Sequence, residues 1–185
     1  MRTLIAYASR HGATAEIAER IAGALRGAGH AVDVAPVSDV ADLGRYDAAV
    51  IGSSVYMGHW HRGATAFVLK NAETLGEKPV WLFSSGPLGA EARDKDGADL
   101  KESSAPTELP ELVDAVRPRG HRVFFGALRP GRLNLAERAV RKLPAGRDLM
   151  PEGDVRDWAD IDHWAREIAG ALSDGTPAED GRPAG

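Results

Sequence analysis

The sequence predicts an α/β protein: a three-layer, doubly wound sandwich built on five parallel strands in the order 2-1-3-4-5. Short apolar runs recur along the chain, and segments with helical periodicity separate them. The third run, "AAVIGS", is apolar on both faces, which is typical of a central parallel strand. Alternating strands and helices of this kind connect through right-handed crossovers, so a single parallel sheet is expected.

Each element follows from a local pattern. The predicted strands are short apolar runs, and they cover Thr3–Ala8, Ala31–Ala35, Ala48–Ser53, Pro79–Ser84 and Val123–Leu128. The predicted helices carry apolar residues three and four positions apart, and they cover Thr14–Ala28, Arg62–Leu75, a segment from Thr107 to Pro118, and Asp157–Leu172. Ser38–Leu43 is expected to form at most one or two helical turns.

The domain organisation is expected to be simple. A chain of 185 residues has the length of one domain, so residues 1–172 are predicted to form a single domain. Gly89–Pro106 is charged and rich in small residues, which predicts a mobile loop inserted into it. Residues 129–147 add a basic region, with Asn134 and Glu137 at capping-box spacing in an extra helix. The polar residues 173–185 are predicted to be a disordered tail.

Composition excludes several classes of function. The net charge of −4 argues against a general nucleic-acid binder. The absence of cysteine excludes disulfides, thiol catalysis and iron–sulfur ligation. No secretory h-region is visible, and no apolar run approaches the ~20 residues that cross a bilayer. We therefore expect a cytoplasmic protein.

The loop "SRHGAT", Ser9–Thr14, joins the first strand to the first helix. Backbone N–H groups at a helix N-terminus attract anions, and the loop adds hydroxyl groups and a glycine. It lacks the lysine of a Walker A motif and the spacing G-x-G-x-x-G, so neither a nucleoside triphosphate nor a classical dinucleotide is expected. Two interpretations remain: a site for one phosphate held mainly by neutral donors, or a well-capped turn.

Two further loops are predicted to leave the same edge of the sheet. "SSVYMGHWH", Ser53–His61, carries aromatic and soft apolar side chains, and "SSGPLG", Ser84–Gly89, carries small residues. Ligands of doubly wound sheets bind beyond the carboxyl ends of the strands. A phosphate loop beside two such loops favours a planar ring on a phosphorylated chain.

These motifs resemble a known family. "SRHGAT" is similar to the [ST]-x-x-G-x-T phosphate loop of the flavodoxin family, which binds FMN. "VIGSSVYMGHWHRGATAFVLKN", "FFGALRPGR" and "DVRDWADIDHWAREIA" resemble a narrower group, the menaquinone-dependent protoporphyrinogen oxidase type. The resemblance implies a flavodoxin-like fold and FMN as cofactor. It implies phosphate contacts from Ser9, Arg10, His11, Gly12, Ala13 and Thr14. It implies ring contacts from Ser53, Ser54, Val55, Tyr56, Met57, Gly58, His59, Ser84, Ser85, Gly86, Pro87, Leu88 and Gly89.

The resemblance makes an FMN-dependent oxidoreductase the leading prediction, with a quinone or a protoporphyrinogen-like compound as substrate. The chemistry would take place on FMN, so no catalytic side chain is predicted. An alternative is a flavodoxin-type carrier that moves electrons between redox protein partners. A second alternative is a flavin-free interaction module on the same scaffold.

Some side chains in these loops allow more than one role. Tyr56 is expected to stack on the flavin ring, whereas Trp60 either contacts the ring or packs on the following helix. His59 and His61 lie two positions apart without a third ligand at a familiar spacing, so no metal site is predicted. We expect them to make polar contacts near the flavin or to be surface residues.

The basic residues of the 129–147 region form a cluster in the sequence. Its members are Arg129, Arg132, Arg138, Arg141, Lys142 and Arg147. Three interpretations stay open: a solvated face, a docking surface for an acidic redox partner, or peripheral contact with the inner face of an anionic membrane.

Overall fold

The structure is a computed structural model, and it describes residues 1–86, 104–133, 139 and 152–174. The strands are β1 (Arg2–Ala8), β2 (Ala31–Pro36), β3 (Ala48–Tyr56), β4 (His59–Trp60), β5 (Val80–Ser85), β6 (Gly120–Phe124), β7 (Ala127–Leu128) and β8 (Gly153–Asp154). The helices are α1 (Ala13–Gly27), α2 (Arg62–Lys70), α3 (Ala72–Gly76), α4 (Leu109–Val116) and α5 (Trp158–Ser173). Short 3₁₀ turns occupy Val37–Asp39 and Pro130–Arg132.

The main sheet has the predicted topology. Its parallel strands run in the order β2-β1-β3-β5-β6, which is the order 2-1-3-4-5 once the short β4 is set aside. β4 pairs antiparallel with β3. The register places Ala8 beside Ser53 and Ser53 beside Ser84. The three candidate loops therefore begin at the same level of the same sheet edge.

The core has a layer on each face of the sheet. On one face α1 and α5 pack over β1, β3, β5 and β6, and on the other face α2, α3 and α4 pack over β1, β3 and β5. Phe83, Phe124 and Trp164 meet with ring centroids 5.5 to 6.2 Å apart. Gly52 makes room for this cluster, because a Cβ there would lie 2.0 Å from Phe83 Cζ. The strand beside the site is therefore held by close packing.

Several predicted boundaries are wrong. The predicted helix Arg62–Leu75 is two helices, interrupted at Asn71, whose side chain donates to the carbonyl oxygen of Phe67 at 2.7 Å. The predicted strand Val123–Leu128 is also two elements, because β6 begins at Gly120 and the residues after Gly126 belong to β7. β7 pairs with β8 in a separate ribbon. The apolar run continues through both strands, so periodicity did not reveal the break.

The pattern also missed the polar half of the edge strand. β6 begins with the residues "GHR", which are only half-buried. Arg122 forms an ion pair with Asp160 of α5 at 2.6 Å. An edge strand packed on one side tolerates such residues. The expected turns over Ser38–Leu43 reduce to the single 3₁₀ turn at Val37–Asp39.

Some predictions fall outside the described residues. They concern Pro87, Leu88 and Gly89 of the candidate site, most of Gly89–Pro106, the extra helix with Asn134 and Glu137, and the tail beyond residue 174. Within the described ranges, no helix is both long and apolar enough to cross a membrane.

Candidate functional site

The loop Ser9–Gly12 turns the chain tightly from β1 into α1. Gly12 has a left-handed backbone with φ of 92°, and its N–H donates to Ser9 Oγ at 2.9 Å. Residues with a Cβ rarely adopt that conformation, so the backbone of this turn explains why a glycine occupies position 12. The fifteen-residue helix α1 thus begins at the carboxyl end of β1 with its N-terminal N–H groups toward the edge.

Thr14 is the most informative side chain of the loop. It is only 1% exposed, and its Oγ1 has no hydrogen-bond partner among the described residues. Buried hydroxyl groups are nearly always hydrogen-bonded in native proteins. An unpartnered donor at a helix N-terminus therefore suits an anion such as a phosphate.

Glu16 lies in the first turn of α1, where its charge would oppose an anion. Arg156 and Arg129 neutralise it: Arg156 Nη2 lies 2.9 Å from Glu16 Oε2, and Arg129 Nη1 lies 2.7 Å from Oε1. Burial would raise the pKa of Glu16, but the hydrogen bonds from both guanidinium groups hold it below its usual value. The carboxylate is therefore charged but compensated.

Arg156 joins three parts of the chain and was missed by sequence reasoning. Its side chain is 1% exposed, hydrogen-bonds with Asp154 through Nε at 2.8 Å, and reaches the carbonyl oxygen of Ala13 at 3.4 Å. Its guanidinium also lies over the Trp158 ring, 4.4 Å from the centroid. Its partners in α1 are some 140 residues away in sequence, so no local pattern could have revealed them.

The second candidate loop is a β-hairpin. The prediction of a loop over Ser53–His61 is wrong, because β3 continues to Tyr56 and β4 begins at His59. The two turn residues, Met57 and Gly58, have φ of 51° and 77°. Two-residue turns with positive φ match the twist of the strands that they join. The glycine at the second turn position was the available sequence signal.

A pocket of about 600 Å³ opens beside this hairpin. It is lined by Arg10, Ser54, Tyr56, Met57, His59, Trp60, His61, Arg62 and Glu108. Tyr56 is 44% exposed, and the Arg10 guanidinium lies 4.2 Å from its ring centroid. The pocket thus joins the phosphate-type loop to an aromatic wall with cationic residues around it.

Glu108 fastens the hairpin to the segment before α4. Its carboxylate accepts hydrogen bonds from His59 Nδ1 at 2.8 Å and from the Trp60 N–H at 3.2 Å. Burial would raise the pKa of Glu108, but these hydrogen bonds keep it below its usual value. Thr107 adds a backbone hydrogen bond to the Gly58 carbonyl at 2.9 Å. The hairpin is therefore fixed from outside the sheet.

The two histidines of the hairpin have separate structural partners. His59 pairs with Glu108, whereas the His61 ring accepts a hydrogen bond from the Gly63 N–H at 3.1 Å and caps α2. Across the described ranges, no three His, Cys, Asp or Glu side chains are grouped as metal ligands.

Ser53 and Ser84 are fully buried, and their hydroxyl groups are engaged inside the protein. Ser53 Oγ accepts from the His61 N–H at 2.9 Å. Trp60 Nε1–H donates to Ser84 Oγ at 2.8 Å, and Ser84 Oγ lies 2.9 Å from His121 Nε2. Trp60 is 2% exposed and packs in the core, so of its two proposed roles the structure favours packing.

The third candidate loop begins at Gly86. Its φ is 128°, its N–H donates to the Phe124 carbonyl at 3.0 Å, and a Cβ there would lie 3.3 Å from the Val55 carbonyl oxygen. Ser85 is nearly buried at the end of β5. The chain thus leaves the sheet directly beside β3, next to the hairpin.

The sequence of the chain matches a known family over most of its length. The family described as the flavodoxin domain matches residues 4–145. This chain belongs to the flavodoxin domain family. The predicted resemblance to the flavodoxin family is thereby confirmed, and the strand order of the sheet confirms the predicted fold class.

Relatives extend this assignment. The chain is 32% identical over 177 residues to a protein of Escherichia coli (strain K12) named protoporphyrinogen IX dehydrogenase (quinone), covering 91% of this chain and 95% of the relative. A mutant flavodoxin from Pseudomonas aeruginosa has a TM-score of 0.57 at 17% identity and covers 94% of this chain and 99% of its own. Rubredoxin oxygen:oxidoreductase from Desulfovibrio gigas has a TM-score of 0.60 at 14% identity, over 94% of this chain and 36% of that protein.

Membership of the flavodoxin family makes this chain an oxidoreductase with a flavin as its cofactor. The described residues fit such a group. The unpartnered Thr14 hydroxyl and the start of α1 offer donors to an anion, and the pocket beside Tyr56 offers an aromatic wall to a ring.

Proposed function

We propose that the flavin is FMN and that Ser9–Thr14 bind its phosphate. The observation that carries this proposal is the buried Thr14 hydroxyl in the first turn of α1, two positions after Gly12, which has no hydrogen-bond partner in the described part of the chain. A phosphate oxygen would accept the hydrogen bond that Thr14 lacks, together with those of the first N–H groups of the helix. A flavin without a phosphate would leave these donors unsatisfied.

We assign the isoalloxazine ring to the space between the Ser54–His59 hairpin and the chain after Ser84. Tyr56 is 44% exposed there, and the Arg10 guanidinium lies 4.2 Å from the centroid of its ring. Ser53 and Ser84 contribute through their strands, since their hydroxyl groups are hydrogen-bonded within the protein. The rigid hairpin then sets the position of the ring, because Glu108 and Thr107 fasten it.

The E. coli relative suggests the substrate. We propose that this chain oxidises a protoporphyrinogen with a quinone as electron acceptor. When bound, FMN supplies two-electron redox chemistry between them. Each step removes two electrons and two protons from the porphyrinogen and reduces one quinone to a quinol. The chain's own residues bind and orient the reactants, and the function implies a cytoplasmic protein with peripheral contact where the membrane holds its quinone.

The cofactor proposal is tested by flavin titration of Thr14→Val, which keeps the side-chain shape and removes the hydroxyl. We expect FMN affinity to fall about tenfold, because one hydrogen bond to a charged acceptor is lost. The matched control is Thr65→Val, since Thr65 Oγ1 is also buried without a partner but lies in α2. The apoprotein with Thr14→Val is expected to be at least as stable as the wild type. Equal FMN affinities for all three proteins would refute the phosphate assignment.

The substrate proposal is tested by adding protoporphyrinogen IX and a quinone to the FMN-loaded chain. Porphyrin fluorescence should rise only when both the protein and the quinone are present. Electron delivery to a redox protein without any oxidation of the porphyrinogen would instead favour the electron-carrier alternative. A chain that retains no flavin would favour the interaction module.

A further inference from the structure

Arg132 lies against the phosphate loop from a distant part of the chain. It ends the 3₁₀ turn Pro130–Arg132, which follows β7. Its Nη1 and Cζ atoms are 3.3 and 3.6 Å from the position that a Cβ would occupy on Gly12. The guanidinium group therefore occupies the space beside Gly12 that a larger residue would fill.

The backbone of Arg132 is held in place by the surrounding structure. Its N–H donates to the Arg129 carbonyl at 2.9 Å. Leu128 and Leu133 flank the turn, are 3% and 4% exposed, and pack together in a small cluster. β7 is paired with β8, so the turn is anchored at its start. Little ordering of the backbone would be needed for Arg132 to bind a ligand.

The neighbouring arginines already form ion pairs with carboxylates. Arg129 and Arg156 both pair with Glu16 and Asp154, and none of these ion pairs includes Arg132. Among the described residues, Glu16 and Asp154 are thus neutralised by Arg129 and Arg156, and Arg132 adds a further positive charge beside Gly12, two positions before the buried Thr14 hydroxyl. That surplus suits an anion with more than one negative charge.

We propose that Arg132 binds the flavin phosphate and makes the site selective for phosphorylated over unphosphorylated flavin. This inference rests on the proposed function, since it assumes a flavin phosphate at Ser9–Thr14. Arg10 of the loop lies over the Tyr56 ring, and the other loop donors are mainly neutral, so we assign to Arg132 the charge that distinguishes FMN from riboflavin. An arginine–phosphate hydrogen bond is charge-assisted and is stronger than the neutral hydrogen bonds of the loop.

The test compares FMN with riboflavin in wild-type protein and in Arg132→Gln. Affinities are measured by quenching of flavin fluorescence at two salt concentrations. We expect Arg132→Gln to weaken FMN binding on the order of ten- to a hundredfold and to leave riboflavin binding unchanged. The salt dependence of FMN binding should also decrease, because one charge contact is lost. Arg132→Lys should restore part of the preference.

The matched control is Arg166→Gln, which removes an exposed arginine from α5 and should change neither affinity. Equal weakening of FMN and riboflavin by Arg132→Gln would overturn the inference, because it would indicate a purely structural role. An unchanged preference for FMN would overturn it as well. If the wild-type protein binds no FMN, the proposed function itself fails, so the two failures are distinguishable.

Discussion

Replacing His121 by glutamine is expected to reduce the loss of folding stability between pH 7.5 and pH 5. The indole N–H of Trp60 can only donate, so Ser84 Oγ accepts from it and keeps its own proton available for His121 Nε2 when that nitrogen is unprotonated. Burial between β5 and β6 favours the neutral ring over the charged one and lowers the pKa of His121, and in the neutral ring Nε2 can accept the hydrogen bond from that hydroxyl.

The magnitude follows from the pKa of the ring. Burial lowers the pKa of His121 from 6.5 to about 4. Between these pH values His121 is protonated in the unfolded chain but largely neutral in the folded chain. The free energy of unfolding therefore falls as the pH drops from about 6.5 towards 4, and His121 contributes no pH dependence above that window. At pH 5 the loss is at most ~2 kcal/mol at ~1.4 kcal/mol per pH unit, and partial exposure of His121 makes this an upper bound.

The assay is urea unfolding at pH 7.5 and pH 5 for wild type, His121→Gln and His163→Gln. Glutamine offers an amide oxygen to Ser84 but does not titrate, so the loss of stability between the two pH values should shrink in His121→Gln. His163 is exposed on α5, and its replacement should leave the wild-type pH dependence nearly intact. The same pH-dependent loss in His121→Gln as in wild type would refute the reasoning.

Two further perturbations test the packing around the site. Gly52→Ala should destabilise the fold by about 3 kcal/mol, measured by thermal unfolding, because its Cβ would overlap the Phe83 ring. Gly23→Ala is its control, since no atom lies within 4 Å of the added methyl group, and it should be neutral or stabilising. Arg156→Gln should cost about 2 kcal/mol, because Glu16 and Asp154 lose charge-assisted hydrogen bonds from a buried guanidinium while Arg129 still pairs with both. Glu16→Gln should recover part of that loss in a double-mutant cycle; additive effects would contradict the pairing.

Local sequence was sufficient for the elements whose patterns are strong. β1, "SRHGAT" and α1 follow one another without a break, so the strand, the turn at Gly12 and the apolar stripe of the helix could all be read from adjacent residues. The strand order followed from the alternation of strands and helices, because right-handed crossovers leave few topologies. Placing the three loops at one edge needed only that order.

Elements with conflicting signals were predicted less well. Ser53–His61 contains strand-forming residues on both sides of Met57 and Gly58. Composition alone predicts a loop for such a segment, because the two-residue turn interrupts the strand pattern. The apolar run through Gly126 concealed the end of β6 and the start of β7. In both cases the pairing partner, and not the local pattern, decided the structure.

The sequence by itself determined the fold class and the sheet edge at which the three candidate loops meet, since each depends on periodicity and neighbouring residues. Only the tertiary structure decided the electrostatics of that edge. Arg132 and Arg156 reach the start of α1 from more than a hundred positions away in sequence. His121 of β6 contacts Ser84 of the neighbouring strand β5. Contacts between residues so far apart depend on the packing of whole elements, which no local pattern specifies.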